Sequence, residues 1–360
     1  MADISSIDKN FKIETNIQKD DIKFLDSQAD CFDIYGVMCT DGKYHRLPFD
    51  VAKNTNDGVN HLHNYTAGGR IRFITNSKYV VINSLTSAGS GKMAHITTLG
   101  SSGFDMYLIE NGKAVYFRSF MPLHNFGEKF EQIVEFQDNN TRDILIHFPL
   151  YNTCRNLYIG VQESAFVKPG SKYKYQTPIV YLGSSITQGG CASRPGNAYQ
   201  NHISRYFDTD FINLGFSGSC RGEQALSDHI ASLDMSIFVL DYDHNAPTVE
   251  HLAATHENVF KTFRKKHPDT PVIIMTKTDV PRTKDALENT NKRREIIRRT
   301  YDNAVAAGDK NVYFLDGQEI FKIAGYTDCT VDGCHPNDLG FWCMAQALIK
   351  VIEDNKLLGE

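Results

Sequence analysis

Residues 177–187 read TPIVYLGSSIT, a short apolar run closed by Gly183 and a pair of serines. An apolar run without alternation is the form expected of a strand buried on both faces. The form recurs in DFINLGF (210–216), SIFVLDY (236–242), PVIIMTK (271–277) and NVYFLDG (311–317). Amphipathic segments lie between these runs. From Val249 onward, Leu252, Ala253, Val259, Phe260 and Phe263 keep helical spacing until Pro268 stops the chain. A last helix is predicted to bury Phe341, Met344, Leu348, Val351 and Ile352, with Asn337 as its N-cap. Strands alternating with helices predict an α/β domain with a parallel five-stranded sheet and right-handed crossovers.

Upstream the pattern changes. FDIYGVM, RIRFITN, YVVINSL, DMYLI, AVYFRSF, ILIHF and LYIGV are rich in aromatic and β-branched residues. Asp41-Gly42, Asn111-Gly112 and the polar run 137–143 punctuate them, and Asn111-Gly112 between DMYLIE and KAVYFRSF is a strong hairpin signal. With no long helical period, residues 1–168 are predicted to form an all-β sandwich. KPGSKYKYQTP (168–178) is polar with a proline near each end. The predicted division is therefore an accessory domain over 1–168, a linker over 169–177 and an α/β domain over 178–360.

Composition narrows the function classes. The 360 residues are 41% hydrophobic and 22% charged, ordinary values for a globular protein. A net charge of −5 offers no basic footprint for nucleic acid. No run approaches a membrane span, and MADISSIDKNFK at the start lacks the apolar core of a signal peptide. The eight cysteines are scattered without a C-x-x-C, so they read as reduced thiols in a cytoplasmic protein. For the same reason the sequons at Asn64 and Asn139 carry no weight. The basic run NKRREIIRR from Asn291 reads as a solvated helix face.

In an open α/β sheet, sites gather beyond the C-terminal ends of the strands. Those ends here carry GSSIT (183–187), GFSG (215–218), DYDHN (241–245) and, before the last helix, DGCHP (332–336). A hydroxyl, a glycine backbone, a carboxamide and an Asp/His pair converge on one edge, which are the parts of a serine hydrolase. Each part alone has a bland reading. Ser185 could cap the next helix, and Gly218 could be a turn glycine. Of thirteen histidines, two have an aspartate three residues earlier, His244 (Asp241) and His335 (Asp332). All four parts in chain order at successive strand ends are harder to obtain by accident. The phosphate-binding patterns G-x-x-x-x-G-K-[ST] and G-x-G-x-x-G are missing, and Thr187 replaces the final glycine of a G-x-S-x-G elbow.

On these motifs the C-terminal half resembles the SGNH, or GDSL-type, hydrolases. Ser185 matches the first block of that family, Gly218 the second, Asn245 the third, and Asp332 with His335 the last. The N-terminal half resembles the G-x-D-[LM]-Y β-sandwich that precedes some of these enzymes, here Gly103-Phe104-Asp105-Met106-Tyr107. The resemblance implies an SGNH-type three-layer domain and a serine esterase. The loop GGCASRPGNAY (189–199) and DYDHNAP (241–247) look most like intracellular carbohydrate acetylesterases, in particular those acting on acetylated mannan oligosaccharides. Two departures stand out. Ser184 occupies a position often held by Asp, and the glycine often found in the third block is missing beside Asn245.

The expected mechanism has Ser185 as nucleophile, His335 as base and Asp332 as its orienting carboxylate. The oxyanion donors expected are the N–H groups of Ser185 and Gly218 and the Asn245 amide. His244, Arg194 in the loop GGCASRPGNAY, and Trp342 near His335 are the substrate-binding candidates. No cofactor and no metal are expected. His244, His251 and His256 are close in sequence, but helical spacing separates the last two, and His61 with His63 make only two ligands. The expected partner is an acetylated oligosaccharide, with a share of its binding given to the β-half; nucleic acid and membrane are excluded, and a homo-oligomer stays open. An acyl-thioesterase or lysophospholipase on the same machinery, and a glycan-binding protein with an inactive hydrolase domain, are the competing readings.

Overall fold

The computed structural model describes residues 13–87, 93–123 and 126–359; the opening stretch MADISSIDKNFK lies outside the described residues. Asp41 and Gly42 both adopt positive φ (49° and 72°), as do Asn111 and Gly112 (52° and 75°). Two such residues make the mirror-image turn whose twist matches that of paired strands. Each closes the hairpin its dipeptide signals.

Among the described residues of the N-terminal half there are twelve strands: β1 (Ile22–Asp26), β2 (Asp33–Tyr35), β3 (Met38–Thr40), β4 (Lys43–His45), β5 (Arg70–Thr75), β6 (Tyr79–Leu85), β7 (Phe104–Glu110), β8 (Lys113–Phe120), β9 (Lys129–Glu135), β10 (Arg142–His147), β11 (Arg155–Gln162) and β12 (Val167–Pro169). One six-stranded sheet runs β3-β4-β11-β6-β9 with β1 on β11; the other runs β12-β5-β10-β7-β8 with β2 on β5. All their pairings are antiparallel. Phe73, Ile82, Phe104, Ile146 and Ile159 fill the space between the sheets.

The half is not purely β. Among the described residues three short helices interrupt it: α1 (Phe49–Thr55), α2 (Asp57–Leu62) and α3 (Thr98–Ser102). Asn56 caps α2 by accepting from the Val59 N–H, and Thr97 caps α3 by accepting from Gly100. His61 therefore lies on a helix and His63 just beyond it, not on one face of a strand.

The C-terminal half places β13 (Tyr175–Gly183), β14 (Thr209–Gly215), β15 (Ile237–Asp241), β16 (Val272–Met275) and β17 (Val312–Leu315) in one parallel sheet, ordered β14-β13-β15-β16-β17. Its helices are α4 (Ser185–Gln188), α5 (Tyr199–Phe207), α6 (Gln224–Ile230), α7 (Val249–Lys266), α8 (Lys284–Ala306), α9 (Gly317–Ile320) and α10 (Asp338–Asp354). Asn337 caps α10 as expected, accepting from the Gly340 N–H. Strand β12 ends at Pro169 and β13 opens at Tyr175, so only residues 170–174 of the expected linker lie outside strands.

The two halves share their interiors. Tyr65, Ala67, Ile96, Leu150 and Tyr151 from the first half pack in one cluster with Tyr181, Ile186, Phe341 and Leu348 from the second. Leu47, Ala52 and Val59 join Leu182, Phe216 and Leu240 in another. Polar contacts reinforce this seam. The buried Arg46 guanidinium has no carboxylate; it donates to the carbonyls of Tyr65 (2.7 Å), Leu62 (2.9 Å), Asn213 (3.2 Å) and Gly215 (2.5 Å), and burial pulls its pKa down to about 9. Arg70 pairs with Asp210 and lies 3.7 Å from the centre of the Phe211 ring.

Candidate active site

The chain steps from β13 outward to β14, then returns to lay β15 on the opposite side of β13. A reversal of this kind opens a crevice beyond the strand ends. Ser185 stands in it, two residues past Gly183. Its neighbour Ser184 is the helix cap, its side chain accepting from the Ile186 N–H. The Ser185 hydroxyl is thereby released from local duty. It lies 3.0 Å from Nε2 of His335.

His335 comes from a tight loop pinned by the bridge between Thr330 and Pro336, with the Val331 N–H donating to the His335 carbonyl (2.9 Å) and Gly333 at φ 89°. Asp332 organises this loop. One carboxylate oxygen accepts from the N–H groups of Cys334 (3.0 Å) and His335 (2.7 Å), and the other lies 2.8 Å from Nδ1 of His335. Partial burial pushes the Asp332 carboxyl up, but bonds from the His335 N–H and ring and the Cys334 N–H outweigh it and hold the group down to about 2. Since Nδ1–H donates to an ionised carboxylate, Nε2 is the ring atom left to accept from the Ser185 hydroxyl.

Gly218 (φ 65°), past the end of β14, meets Asn245, past the end of β15. The Gly218 N–H donates to Oδ1 of Asn245 (3.1 Å), and Nδ2 of Asn245 donates to the Phe216 carbonyl (2.8 Å). Two of the three expected oxyanion donors thus hold each other in the unliganded site. The Ser185 N–H has no acceptor among the described residues. Asn245 does not need the missing glycine: Asp243–Asn245 form a 3₁₀ turn with no positive φ. Arg293 braces that turn, donating to the carbonyls of Asp243 and Ala246 (2.9 Å each) and to the Asp243 carboxylate (3.2 Å). Arg293 is buried, so the basic run from Asn291 is not wholly a solvated face.

The remaining candidates fare differently. The Arg194 side chain is committed to the β-half, pairing with Asp105 at 2.7 Å, hydrogen-bonding Tyr107 and lying over the Tyr116 ring at 4.1 Å. It fastens the loop after α4 to the G-x-D-[LM]-Y signature, whose Asp105 also accepts from the Gly196 N–H (2.8 Å). His244 is not held by Asp241, which meets Thr187 at 3.2 Å. Nδ1 of His244 lies instead 3.6 Å from Sγ of Cys334, its buried Nε2 has no partner among the described residues, and burial keeps the ring neutral with a pKa down to about 3. Trp342 is exposed rather than packed in the core. His251 bonds the Arg221 carbonyl (2.8 Å) and His256 the Thr300 hydroxyl (2.9 Å).

Residues without a sequence signal complete the surroundings. The Tyr151 hydroxyl donates to the Ser185 carbonyl at 2.9 Å, and the His95 ring sits 5.3 Å from that of His335. Both belong to the β-half, and nothing in their spacing marks them.

The profile of the GDSL-like lipase/acylhydrolase family matches residues 176–353, and that of the N-terminus of SGNH_hydro-type esterases, GxDLY, matches residues 22–167. Among solved structures, the chain is similar to a Bacteroides ovatus protein described as a GDSL-like lipase, with 30% identity over 94% of this chain and 98% of that one and a TM-score of 0.84. A salicylyl-acyltransferase from a tetracycline biosynthetic pathway follows at 15% identity, covering 94% and 99% of the chains, with a TM-score of 0.77. An acetyl xylan esterase from the rumen bacterium Butyrivibrio proteoclasticus shares the fold at 11% identity, covering 94% and 100%, with a TM-score of 0.58. No curated protein matches the chain.

Proposed function

Because the chain belongs to the GDSL-like lipase/acylhydrolase family and is a serine esterase, we propose that it removes acetyl groups from oligosaccharides derived from plant polysaccharides, mannan foremost, in the cytoplasm. The observation that carries the proposal is the relay from Ser185 to His335 (3.0 Å) to Asp332 (2.8 Å). Polar side chains gather at the serine, with His335 bonded to it and Asp332 and the exposed His95 against that imidazole. Such surroundings favour a short acyl group on a polar alcohol over a long lipid chain. The acetyl xylan esterase of the same fold supports the same direction. Among the described residues no helix is long and apolar enough to cross a membrane.

In this reading His335 takes the Ser185 proton as the oxygen attacks the acetyl carbon, and Asp332 steadies the imidazolium that forms. The tetrahedral oxyanion settles on the Ser185 N–H. There it competes with Oδ1 of Asn245 for the Gly218 N–H, and a turned Asn245 amide supplies the third donor. The imidazolium returns its proton to the departing sugar oxygen, leaving an acetyl-enzyme. Water activated by the same histidine then releases acetate. The β-half acts as an accessory domain that braces the site through Tyr151 and Arg46.

The test is acetate release from a panel of acetylated oligosaccharides, followed by NMR, together with labelling by an organophosphonate. Ser185→Ala is expected to keep its fold, lose the label and lose at least about a thousandfold in turnover. Near-wild-type turnover in that variant would end the serine mechanism. Rates that climb with acyl chain length would assign the enzyme to thioesters or lysophospholipids instead.

A further inference from the structure

On the open side of His335, the chain gathers three soft ligand atoms that the hydrolytic scheme does not use together. His95, Cys191 and His335 each present one, all within 4.8 Å of one another. His95 is exposed and comes from the β-half, whereas Cys191 is buried in the loop just after α4. Among the described residues no hydrogen bond engages the His95 ring or the Cys191 thiol. Cys191 stands at φ 75°, a left-handed conformation that most side chains avoid. Strain of this kind at a site edge points to a side chain kept for its chemistry.

We propose that His95, Cys191 and His335 form an inhibitory binding site for a soft or borderline divalent transition-metal ion, with Zn²⁺ as the probe. The inference rests on the reading of His335 as the general base. Two imidazoles and a thiolate are a ligand set for zinc or copper, and they discriminate against Mg²⁺ and Ca²⁺, which prefer oxygen. Bonds of about 2.0–2.3 Å in a tetrahedral arrangement require the ligand atoms to close by about 1 Å, which the exposed His95 side chain can supply. The fourth position falls to water or the Ser185 hydroxyl.

The consequence follows from which atoms are free. Nδ1 of His335 is occupied by Asp332, so the metal takes Nε2, the atom that faces Ser185. Zinc there replaces the hydrogen bond to the serine and removes the proton acceptor from the reaction. Burial pushes the Cys191 thiol up to about 12, so its proton must leave to solvent as the metal enters. The ion is no cofactor of the esterase. It switches the enzyme off, and a chelator switches it on again.

The experiment titrates Zn²⁺ into the full chain and measures esterase activity, each variant normalised to its own metal-free rate. Calorimetry on the same proteins reads binding directly. Wild type is expected to be inhibited, reversed by chelator, and unaffected by Mg²⁺. His95→Ala and Cys191→Ser are each expected to need at least about tenfold more zinc. His95 is exposed, so His95→Ala decides the matter even if Cys191→Ser folds poorly. Ser185→Ala, inactive on the reading above, is expected to bind zinc within a few-fold of wild type, while His335→Ala does not. No inhibition of wild type, or equal inhibition of wild type, His95→Ala and Cys191→Ser, would overturn the site. An active Ser185→Ala would overturn the hydrolytic reading instead, leaving the calorimetry to judge the metal site separately.

Discussion

The molecule holds two aspartate–histidine pairs with the same 2.8 Å contact at Nδ1, one in each half. His335 and Asp332 sit three residues apart on a loop at the rim of the parallel sheet, their side chains 23% and 39% exposed. His147 and Asp105 lie on neighbouring strands β10 and β7, their side chains 3% and 0% exposed. Asp105 carries a second duty, pairing with Arg194 across the seam between the halves. The difference shows that a His/Asp contact does not by itself make a base. His335 has a free ring nitrogen turned to a hydroxyl and room for its charge to change. Burial forces His147 to stay neutral, its pKa down to about 4 despite the adjacent carboxylate. The first pair is the one proposed for proton transfer, and the second holds the halves together through Arg194.

The strongest way to break this contrast is to delete one member of each pair. His335→Ala is expected to lose at least about a thousandfold in turnover with an unchanged melting midpoint. Asp105→Ala should do the reverse, costing about 3–5 kcal/mol of stability because Arg194 is left without its buried partner. Chemical denaturation alongside acetate release reads both effects. A stable Asp105→Ala protein would show that the seam does not depend on this network. Next in size, Asn245→Ala is expected to lower turnover by about 10²–10³ with a modest change in KM. A loss confined to KM would make Asn245 a substrate contact and remove it from the oxyanion site.

The smallest effect concerns pH. His147 has a folded pKa lowered to about 4 from an ordinary 6.5, and burial lowers His256 likewise to about 3. Between those values the unfolded histidine binds a proton that the folded one does not. Stability is therefore full above pH 6.5 and declines as pH falls toward the folded pKa, by up to about 1.4 kcal/mol per pH unit for each group. His256→Gln, remote from the serine, is expected to flatten the acid slope of urea unfolding by that amount while leaving activity in place. An unchanged slope would mean that His256 takes its proton in the folded state as easily as in the unfolded one. Asp332, held down to about 2 from an ordinary 3.8, adds stability that is full above about pH 4 and is lost as pH falls toward 2.

The predicted strands of the C-terminal half correspond to β13–β17, because runs such as PIVYLG are buried on both faces and need no partner to be recognised. In the N-terminal half the turns were legible and several strands were not. IKFLD (β1) and KFEQIVE (β9) carry too many charges to stand out, and they form on sheet edges where one face meets water. The helices α1 and α2 are seven and six residues long, too short for a 3.6-residue period to show. Ser185, Asp332 and His335 were legible as motifs, and the structure brings their side chains within hydrogen-bond reach. The pairing of Arg194 was not legible, because an arginine in a polar loop gives no hint that an aspartate 89 residues upstream awaits it. Arg293 was misread because a run of charges reveals nothing of which one turns inward.

What the sequence determined by itself is local: buried strands, the Asn-Gly and Asp-Gly turns, the cap at Asn337, and the order of the four blocks along the chain. Each of these depends on backbone preference or apolar spacing within about ten residues. The tertiary structure alone decided which aspartate meets which histidine, that Asn245 closes on Gly218 across 27 residues, and that β-half residues brace the serine. Those contacts join points far apart in the chain. They are fixed by the strand order of the sheet and by the shared core, whose free energy comes from apolar area buried between elements and leaves no trace in any short stretch of residues.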